Sequence, residues 1–248
     1  MIANIEIKNK TYKVDLSNPI DISFPLIKNE IAPSAWYVNP LTIEPVVGDN
    51  FVGDVNQGSG VNFRNIFFNP HGHGTHTECV GHISKEWISV NNTLKEFHFL
   101  CQVITVVPQT LENGDKLITE ANLTEIHSDA CALAVRTIPN NLEHKKINYS
   151  STNPPYFSTG FVKKMNQSNI NHWLVDLPSV DRELDNGVLA SHHEFWNYPS
   201  ELNNLKTITE FIYIDNSIPD GLYLLNLMIA PFENDATPSK PVLYKIIV

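Results

Sequence analysis

The sequence predicts a mixed α/β fold in a single domain that spans residues 1–248. Several short apolar runs have the length and the β-branched content of buried strands. One segment indicates a helix followed directly by a strand, which is the signature of an αβ unit. No stretch is rich enough in Pro, Gly and Ser to separate two domains, and the chain is long enough to bury a core.

The chain begins with a predicted hairpin and continues through a long loop. The segment IEIKNKTYKVDL alternates apolar and polar residues, which predicts two short strands joined by a tight Asn-Lys turn. Residues 18–50 contain five prolines and little periodicity, and they indicate a long ordered loop of the kind that often serves a site. Strands are then expected in NFRNIFFN, EFHFLCQVITVVP and ACALAVRTI.

The second half of the chain contains the αβ unit and a predicted strand pair. The segment STGFVKKMNQSNINHWLVDL starts with a Ser-Thr pair suited to a helix N-cap and ends in a strand. The runs TITEFIYID and GLYLLNLMIAPF have strand length, and the residues NSIPD between them signal a turn. We expect these two runs to form a buried strand pair.

The composition excludes several classes of function. Seventeen basic and 27 acidic residues leave a net charge of -10, which disfavours nucleic acid and anionic membranes and favours a small-molecule partner. Three cysteines are too few for a disulfide framework and indicate a reducing compartment. The N-terminus lacks the hydrophobic region of a secretory signal, and no apolar run approaches the ~20 residues of a membrane helix, so we expect a cytoplasmic protein.

A dense histidine cluster dominates the candidate chemistry. The segment NPHGHGTHTECVGHI, residues 69–83, holds four of the ten histidines. Imidazole and carboxylate groups are the usual ligands of Zn²⁺, Mn²⁺ and Fe²⁺. His76 and Glu78 point to the same side of an extended segment, and the adjacent glycines would let either His71 or His73 reach the same ion. His82 is a further ligand or a general base.

The remaining ligands of a metal site must come from later in the chain, because a catalytic ion takes three or more protein ligands. The segment LASHHEFW offers His192 and His193. Glu210 lies within an otherwise apolar strand, where an unpaired carboxylate would be costly to bury and a metal would neutralise it. The alternative for Glu210 is an edge strand that keeps its side chain in water.

The sequence resembles the cyclase-like metal-dependent hydrolase superfamily, which includes bacterial kynurenine formamidase. The family signature His-x-Gly-Thr-His-x-Asp-x-Pro-x-His is similar to GHGTHTECVGH, residues 72–82. VDLPSVD resembles the family's Asp-x-Pro-Ser-x-Asp segment, and TITEF resembles its glutamate-containing strand. The closing segment is similar to the family's last strands, so the resemblance runs from about residue 15 to the C-terminus.

The resemblance implies a largely β core of the swivelling β/β/α type flanked by helices, and a homodimer or larger homo-oligomer. It implies one or two divalent ions, Zn or Mn, held by His76, Glu78, His192 and Glu210. The last histidine of the motif, His82, would be the proton donor and acceptor. Trp36 would be the tryptophan of the substrate loop.

Three departures from the motif bear on these assignments. Glu78 replaces an aspartate, Val80 replaces a proline, and Gly72 occupies the place of the first histidine. The glycines allow His71 to supply that ligand while His73 points away, and we favour His71. The connection from His192 to Glu210 is longer than the family predicts, and its added Trp196 and Tyr198 should change the pocket wall.

The expected function is metal-dependent hydrolysis of an amide, ester or lactone, with arylformamidase activity as the specific case. Trp36, Tyr37, Phe67 and Trp196 are candidates to stack on an aryl substrate. Two alternatives use the same residues. One is a non-catalytic metal-binding protein of the same fold, and the other is a ring-closing or ring-opening enzyme of secondary metabolism.

Overall fold

The computed structural model of the protein describes residues 1–28, 32–141, 146–200 and 204–247. These residues are mostly β, with seventeen strands in chain order. The strands are β1 (Ile2–Ile7), β2 (Lys10–Asp15), β3 (Ile20–Asp21), β4 (Thr42–Pro45), β5 (Val47–Gly48), β6 (Phe51–Val52), β7 (Arg64–Phe67), β8 (His76–Cys79), β9 (His98–Val106), β10 (Gln109–Thr110), β11 (Lys116–Ile118), β12 (Ala132–Thr137), β13 (Tyr156–Phe157), β14 (His172–Val175), β15 (Thr207–Glu210), β16 (Gly221–Ile229) and β17 (Ala236–Ile247).

Three short α-helices lie among the described residues, namely α1 (Val90–Thr93), α2 (Thr159–Asn166) and α3 (Ala190–Trp196). Ser158 begins α2 as the sequence predicts, because its hydroxyl accepts a hydrogen bond of 3.1 Å from the Phe161 amide. The helices α2 and α3 pack against each other. The mixed α/β class is therefore broadly right, but the helices contribute less than a core flanked by helices would suggest.

Seven strands close into a barrel in the order β17-β16-β9-β12-β14-β15-β8, and β8 pairs again with β17. The pairs β9–β12, β12–β14 and β14–β15 are parallel, while the remaining four pairs are antiparallel. The hairpin β1–β2 extends the sheet beyond the far end of β17, and β3 also pairs with β17. Closure leaves the seven barrel strands without a free edge.

Alternation along the strands separates two apolar layers. On β12, Leu133 and Val135 join a cluster with the apolar side chains of α2 and α3. Ala132 and Ala134, on the opposite face, join a second cluster with residues of β9, β16 and β17. The period of two places the second cluster inside the barrel and the helices outside it.

Most strand predictions are confirmed. The opening hairpin forms, although its turn residues are Lys8 and Asn9, both with positive φ, rather than Asn-Lys. The runs expected around β7, β9, β12 and β14 are all strands. The segment 18–50 is less irregular than expected, since it contains β3, β4 and β5; its residues 29–31 lie outside the described part.

The predicted pairing of TITEFIYID with GLYLLNLMIAPF is wrong. The first run ends as a strand at Glu210 and lies between β14 and β8, whereas the second forms β16 and lies between β17 and β9. Phe211 has a φ of 56°, which breaks the extended conformation after Glu210. The residues between the runs therefore connect two separate parts of the barrel wall.

No described helix has the length and hydropathy of a membrane-spanning segment. The three cysteines, Cys79, Cys101 and Cys131, are all free thiols.

Candidate metal centre

Strand β8 carries the central pair of the candidate site. His76 lies opposite Glu210 of β15, and Glu78 lies opposite Ile208, so both are held between β15 and β17. Both side chains are completely buried. Thr77, between them, points to the opposite face, where its hydroxyl lies 2.8 Å from that of Thr209. The alternation of an extended strand thus places His76 and Glu78 on one face.

The loop before β8 brings His71, rather than His73, to this pair. His71 Nδ1 lies 3.1 Å from Glu78 Oε2. The side chain of Asn69 accepts hydrogen bonds from the amides of His71 and Gly72, at 2.9 and 3.1 Å, and so shapes the turn. His73 points away, because its Nδ1 accepts from the Asn69 amide at 2.9 Å and its Nε2 lies 2.9 Å from the carbonyl of Asn39.

The helix α3 supplies His192 from the other side. His192 Nε2 lies 3.1 Å from Glu78 Oε1, and His192 Nδ1 lies 2.6 Å from Asp181 Oδ2. The Asp181 carboxylate also accepts hydrogen bonds from the amides of Ser191 and His192, at 2.7 and 3.1 Å. Asp181 therefore holds both the first turn of α3 and the ring of His192. His193 points elsewhere, with its Nδ1 3.1 Å from the carbonyl of Tyr198.

Glu210 ends β15 inside the cluster and is 3% exposed, so the edge-strand alternative does not hold for it. Its Oε2 lies 3.3 Å from His76 Nε2, and its Oε1 lies 3.9 Å from His192 Nε2. The amide of Val180 donates a hydrogen bond of 3.2 Å to Oε1. Glu210 thus lies between the two histidines that β8 and α3 contribute.

His82 lies at the more open side of the cluster, next to a carboxylate that the sequence analysis does not assign. Its Nδ1 is 3.4 Å from Asp235 Oδ2 and 3.9 Å from Glu78 Oε2. Asp235 Oδ2 is also 2.8 Å from His71 Nε2. The rings of His71 and His82 have centroids 4.2 Å apart.

The carboxylates strongly favour positive charge at two of the histidines. Burial by itself lowers the pKa of His71, but the neighbouring carboxylates of Asp235 and Glu78 together outweigh burial and raise it to about 10. Hydrogen bonds with Asp181 and Glu78 outweigh burial in the same way and raise the pKa of His192 to about 10. The carboxylates that favour protons on these histidines would also attract a metal cation that replaces those protons.

The hydrogen bonding of two buried polar atoms indicates whether the cluster suits a metal ion. Among the described residues, neither His76 Nε2 nor Glu78 Oε2 makes a hydrogen bond of good geometry, although both are shielded from water and lie 3.3 Å from Glu210 Oε2 and 3.1 Å from His71 Nδ1, respectively. Unsatisfied buried groups of this kind are costly, and a cation between them would satisfy both. Within the described ranges, three overlapping groups of side chains could hold an ion: His71 with His76 and Glu78, His71 with His82 and Asp235, and Glu78 with His82 and His192. The residues present therefore fit a divalent ion.

A cavity of about 310 Å³ opens above the cluster. Its wall is formed by Trp36, Val38, Asn69, His71, His82, Ser179, Arg182, Glu183, Asp185, Leu189, His192 and Glu210. Arg182 is held by Asp115, whose Oδ2 lies 2.9 Å from the arginine Nε. Hydrogen bonds from Tyr37 and from the amide of Ser151 hold Glu183. The cavity is large enough for a small-molecule substrate and ends on the histidine cluster.

Of the four aromatic residues suggested for substrate stacking, Trp36 alone lines this cavity. Trp36 has a φ of 62° and packs beside the buried Phe24 and Tyr149. The expectation that Trp196 changes the pocket wall is wrong. Trp196 is fully buried behind His192, and its indole nitrogen donates to the Lys206 carbonyl. Tyr37 and Phe67 are 63% and 68% exposed and lie outside the cavity lining.

All seven predicted site residues meet around the cavity and the cluster beneath it, and their roles stay predictions. Two carboxylates of the cluster, Asp181 and Asp235, are absent from the predicted set. Asp181 closes the VDLPSVD segment, which carried part of the family resemblance and was the available signal for it. Asp235 follows an irregular segment, and no pattern around it singles it out from the other acidic residues.

A closed β-barrel whose wall carries a buried histidine and carboxylate cluster is the class of structure that this chain adopts. The family model described as putative cyclase matches residues 14–182, and the chain therefore belongs to that family. This confirms the resemblance that the sequence motifs indicate. No protein with curated annotation matches the sequence significantly.

Solved structures share the fold across nearly the whole chain. Isatin hydrolase A from Labrenzia aggregata, bound to benzyl benzoate, is 14% identical with a TM-score of 0.62, covering 92% of this chain and 93% of that one. Isatin hydrolase A from Ralstonia solanacearum is 15% identical with a TM-score of 0.62, over 92% and 91% of the two chains. A predicted metal-dependent hydrolase from Bacillus stearothermophilus is 14% identical with a TM-score of 0.61, over 92% and 98%. At these identities the likeness concerns the fold alone.

Proposed function

We propose that the protein is a metal-dependent hydrolase that holds one or two divalent ions, Zn²⁺ or Mn²⁺. The ligands would be His71, His76, Glu78, His192 and Glu210. The observation that carries the proposal is a pair of buried atoms, His76 Nε2 and Glu78 Oε2, that make no hydrogen bond among the described residues and belong to the cluster whose other side chains line the cavity. Charge supports it as well, because the cluster already favours positive charge at His71 and His192.

Lewis-acid activation of water and polarisation of a carbonyl group are the chemistry that such an ion supplies when bound. The chain's own residues do the rest. His82 is 28% exposed at its side chain and lines the cavity, so it can accept a proton from water and return it to the leaving group. Asp181 keeps the ring of His192 in place through its Nδ1. Trp36 contributes an apolar face to the cavity wall.

The proposed substrate is an amide, an ester or a lactone with an aryl group. The indole of Trp36 beside the cluster suits an aromatic ring. The isatin hydrolases that share the fold make isatin a candidate, and the family resemblance makes N-formylkynurenine another. Arylformamidase activity is the more specific form of the proposal, and a ring-opening activity on a cyclic amide uses the same residues.

Elemental analysis followed by a hydrolysis panel tests the function. Purified protein, reconstituted with Zn²⁺ or Mn²⁺, should contain stoichiometric metal and should hydrolyse isatin, N-formylkynurenine or an aryl ester. Glu78→Ala and Glu210→Ala should lose metal and turnover together. Stoichiometric metal without any turnover would favour the non-catalytic metal-binding alternative, and absence of metal after reconstitution would overturn the site.

The proposal also covers assembly and location. We propose that residues 1–248 form one domain, that the protein is a homo-oligomer and that it is cytoplasmic. Pairing of β17 with β2 and β3 joins the two ends of the chain and supports the single domain. The three free cysteines support a reducing compartment. The segment 42–67, which we call the arm, supports association because large apolar side chains are exposed along it: Val47, Phe51, Val55, Val61, Phe63, Ile66 and Phe67.

Light scattering tests the association. The wild-type protein should have the mass of an oligomer. The double variant Val47→Asp/Phe67→Asp should have a mass closer to that of the monomer, because these two side chains are 72% and 68% exposed on the arm. Val107→Asp, at a side chain 63% exposed outside the arm, is the control and should not change the mass. A monomeric wild-type protein would contradict the proposal.

A further inference from the structure

Each nitrogen of His71 faces a different carboxylate. Nδ1 lies 3.1 Å from Glu78 Oε2, and Nε2 lies 2.8 Å from Asp235 Oδ2. A neutral imidazole has one lone pair, so only one of these nitrogens can bind an ion while the other carries a hydrogen and needs an acceptor. Two arrangements are therefore conceivable, with the ion on the side of Glu78 or on the side of Asp235.

Two buried atoms that make no hydrogen bond within the described part of the chain, His76 Nε2 and Glu78 Oε2, favour the ion on the side of Glu78. Glu78 Oε2 lies 3.1 Å from His71 Nδ1, and His76 forms one candidate ligand group with these two residues, whereas the group that contains Asp235 does not include His76. An ion in the first group satisfies both atoms, whereas an ion beside Asp235 would leave His76 Nε2 unsatisfied. With an ion in the first group, Nδ1 of His71 would be its ligand atom, and Nε2–H would donate to Asp235.

The same oxygen of Asp235 also faces His82. His82 Nδ1 lies 3.4 Å from Asp235 Oδ2 and 3.9 Å from Glu78 Oε2, so Asp235 is the nearer acceptor. A hydrogen on Nδ1 leaves the lone pair of His82 on Nε2. A carboxylate oxygen can accept two hydrogen bonds, so Asp235 can serve both rings at once.

The main chain of Asp235 is held in place by β8 and by the turn after it. The carbonyl of Asp235 accepts a hydrogen bond of 3.0 Å from the amide of Cys79. A Cβ atom at Gly81 would lie 2.1 Å from the carbonyl oxygen of Ile88 and 3.2 Å from Cβ of Asp235. Only glycine fits this close approach, which keeps His82 beside Asp235.

We propose that Asp235 is a positioning residue that orients His71 and His82 together. It would hold His71 as the Nε2–H tautomer, with Nδ1 free for the ion, and His82 as the Nδ1–H tautomer, with Nε2 free to accept a proton. This inference rests on the proposed function of the site. It adds a role for a residue outside the predicted ligand set, and it couples a metal ligand to the general base through one carboxylate.

The test compares Asp235→Asn with Glu233→Gln, which alters a carboxylate of the same loop that bonds to Asn91 and Asn92 outside the cluster. Nitrogen-15 spectra of the histidine side chains in the Zn²⁺-loaded proteins report the tautomers, and calorimetric titration with Zn²⁺ reports affinity. The wild-type protein and Glu233→Gln should show His82 as the Nδ1–H tautomer. Asp235→Asn should change that tautomer and weaken Zn²⁺ binding about 10- to 100-fold.

Asp235→Asn could bind Zn²⁺ with the affinity of the wild-type protein and show the same histidine tautomers. That result would overturn the role of Asp235 and leave the proposed function standing. Failure of the wild-type protein to bind Zn²⁺ or Mn²⁺ would overturn the proposed function and this inference with it. If Asp235→Asn does not fold, Asp235→Glu and Asp235→Ser take its place. The glutamate variant should then retain the tautomer of His82, and the serine variant should lose it.

Discussion

Glu78 Oε1 lies 3.1 Å from His192 Nε2, although the two residues are 114 positions apart in the chain. Glu78 comes from a barrel strand and His192 from a helix outside the barrel. The contact joins the histidine motif to the second half of the chain. It makes Glu78 the carboxylate that the proposed ligands share, since its other oxygen faces His71.

Replacing Glu78 with alanine should abolish stoichiometric metal binding, because Glu78 is the carboxylate that contacts both His71 and His192. Elemental analysis after reconstitution with Zn²⁺ measures this. Thr77→Val is the matched control on the opposite face of β8, and it should retain metal while losing the contact with Thr209. Full metal content in Glu78→Ala would contradict the ligand assignment.

His71→Ala and His73→Ala should behave differently, although both remove a histidine from the same short segment. His71→Ala should weaken Zn²⁺ binding by at least tenfold, because it removes a proposed ligand. His73→Ala should bind Zn²⁺ normally and lower the free energy of unfolding by about 1–3 kcal/mol, because His73 bonds to the main chain of Asn69 and Asn39. Calorimetric titration and urea unfolding distinguish them, and the reverse pattern would assign the ligand to His73.

His82→Ala should lower kcat by about 10²- to 10⁴-fold and should leave the metal content unchanged, because His82 acts on protons rather than as a principal ligand. Steady-state kinetics on a substrate found in the panel, with elemental analysis of the same sample, measure both effects. His98→Ala, at an exposed histidine on β9, serves as the control. A fully active His82→Ala enzyme would exclude His82 as the general base.

Asp181→Asn should weaken both the helix and the site. The Asp181 carboxylate accepts hydrogen bonds from two amides of α3 and from the ring of His192. Zn²⁺ affinity should fall about 10- to 100-fold, since partners of ligating histidines have effects of this size. Asp185→Asn is the control, because Asp185 accepts from the amides of Gly187 and Leu189 and makes no bond to His192. Equal Zn²⁺ affinity in the two variants would contradict the role of Asp181.

His172, a buried residue outside the candidate site, should make the free energy of unfolding depend on pH. Burial lowers its pKa from the ordinary 6.5 to about 4 in the folded chain. Between these values the unfolded chain binds the extra proton, so the free energy of unfolding falls as the pH is lowered from 6.5 to 4. The contribution of His172 to this loss is about 3 kcal/mol.

Urea unfolding of the metal-free protein at pH 7 and at pH 4 measures this effect. His172→Asn should show a smaller loss of stability than the wild-type protein, because asparagine does not titrate in this range. The same loss in both proteins would show that His172 does not govern the acid side of the stability curve.

Local patterns in the sequence determined much of this protein. The alternation around His76 and Glu78 places both on one face of a strand wherever that strand lies, because the period of two is a property of extended backbone. The hairpin, the N-cap at Ser158 and the strand runs are local in the same sense. The spacing of the motif, together with the family resemblance, was also sufficient to predict His82, His192 and Glu210 as candidates near the same cluster.

Only the tertiary structure decided which other groups meet there. Asp235 reaches His71 and His82 because β17 pairs with β8, and the pairing of strands more than 150 residues apart is not written in any local period. The choice of His71 over His73 follows from hydrogen bonds with the Asn69 turn and the Asn39 loop. Trp196 is buried because α3 packs that face against the barrel. Long-range packing sets these contacts, and a single sequence does not encode it in a readable pattern.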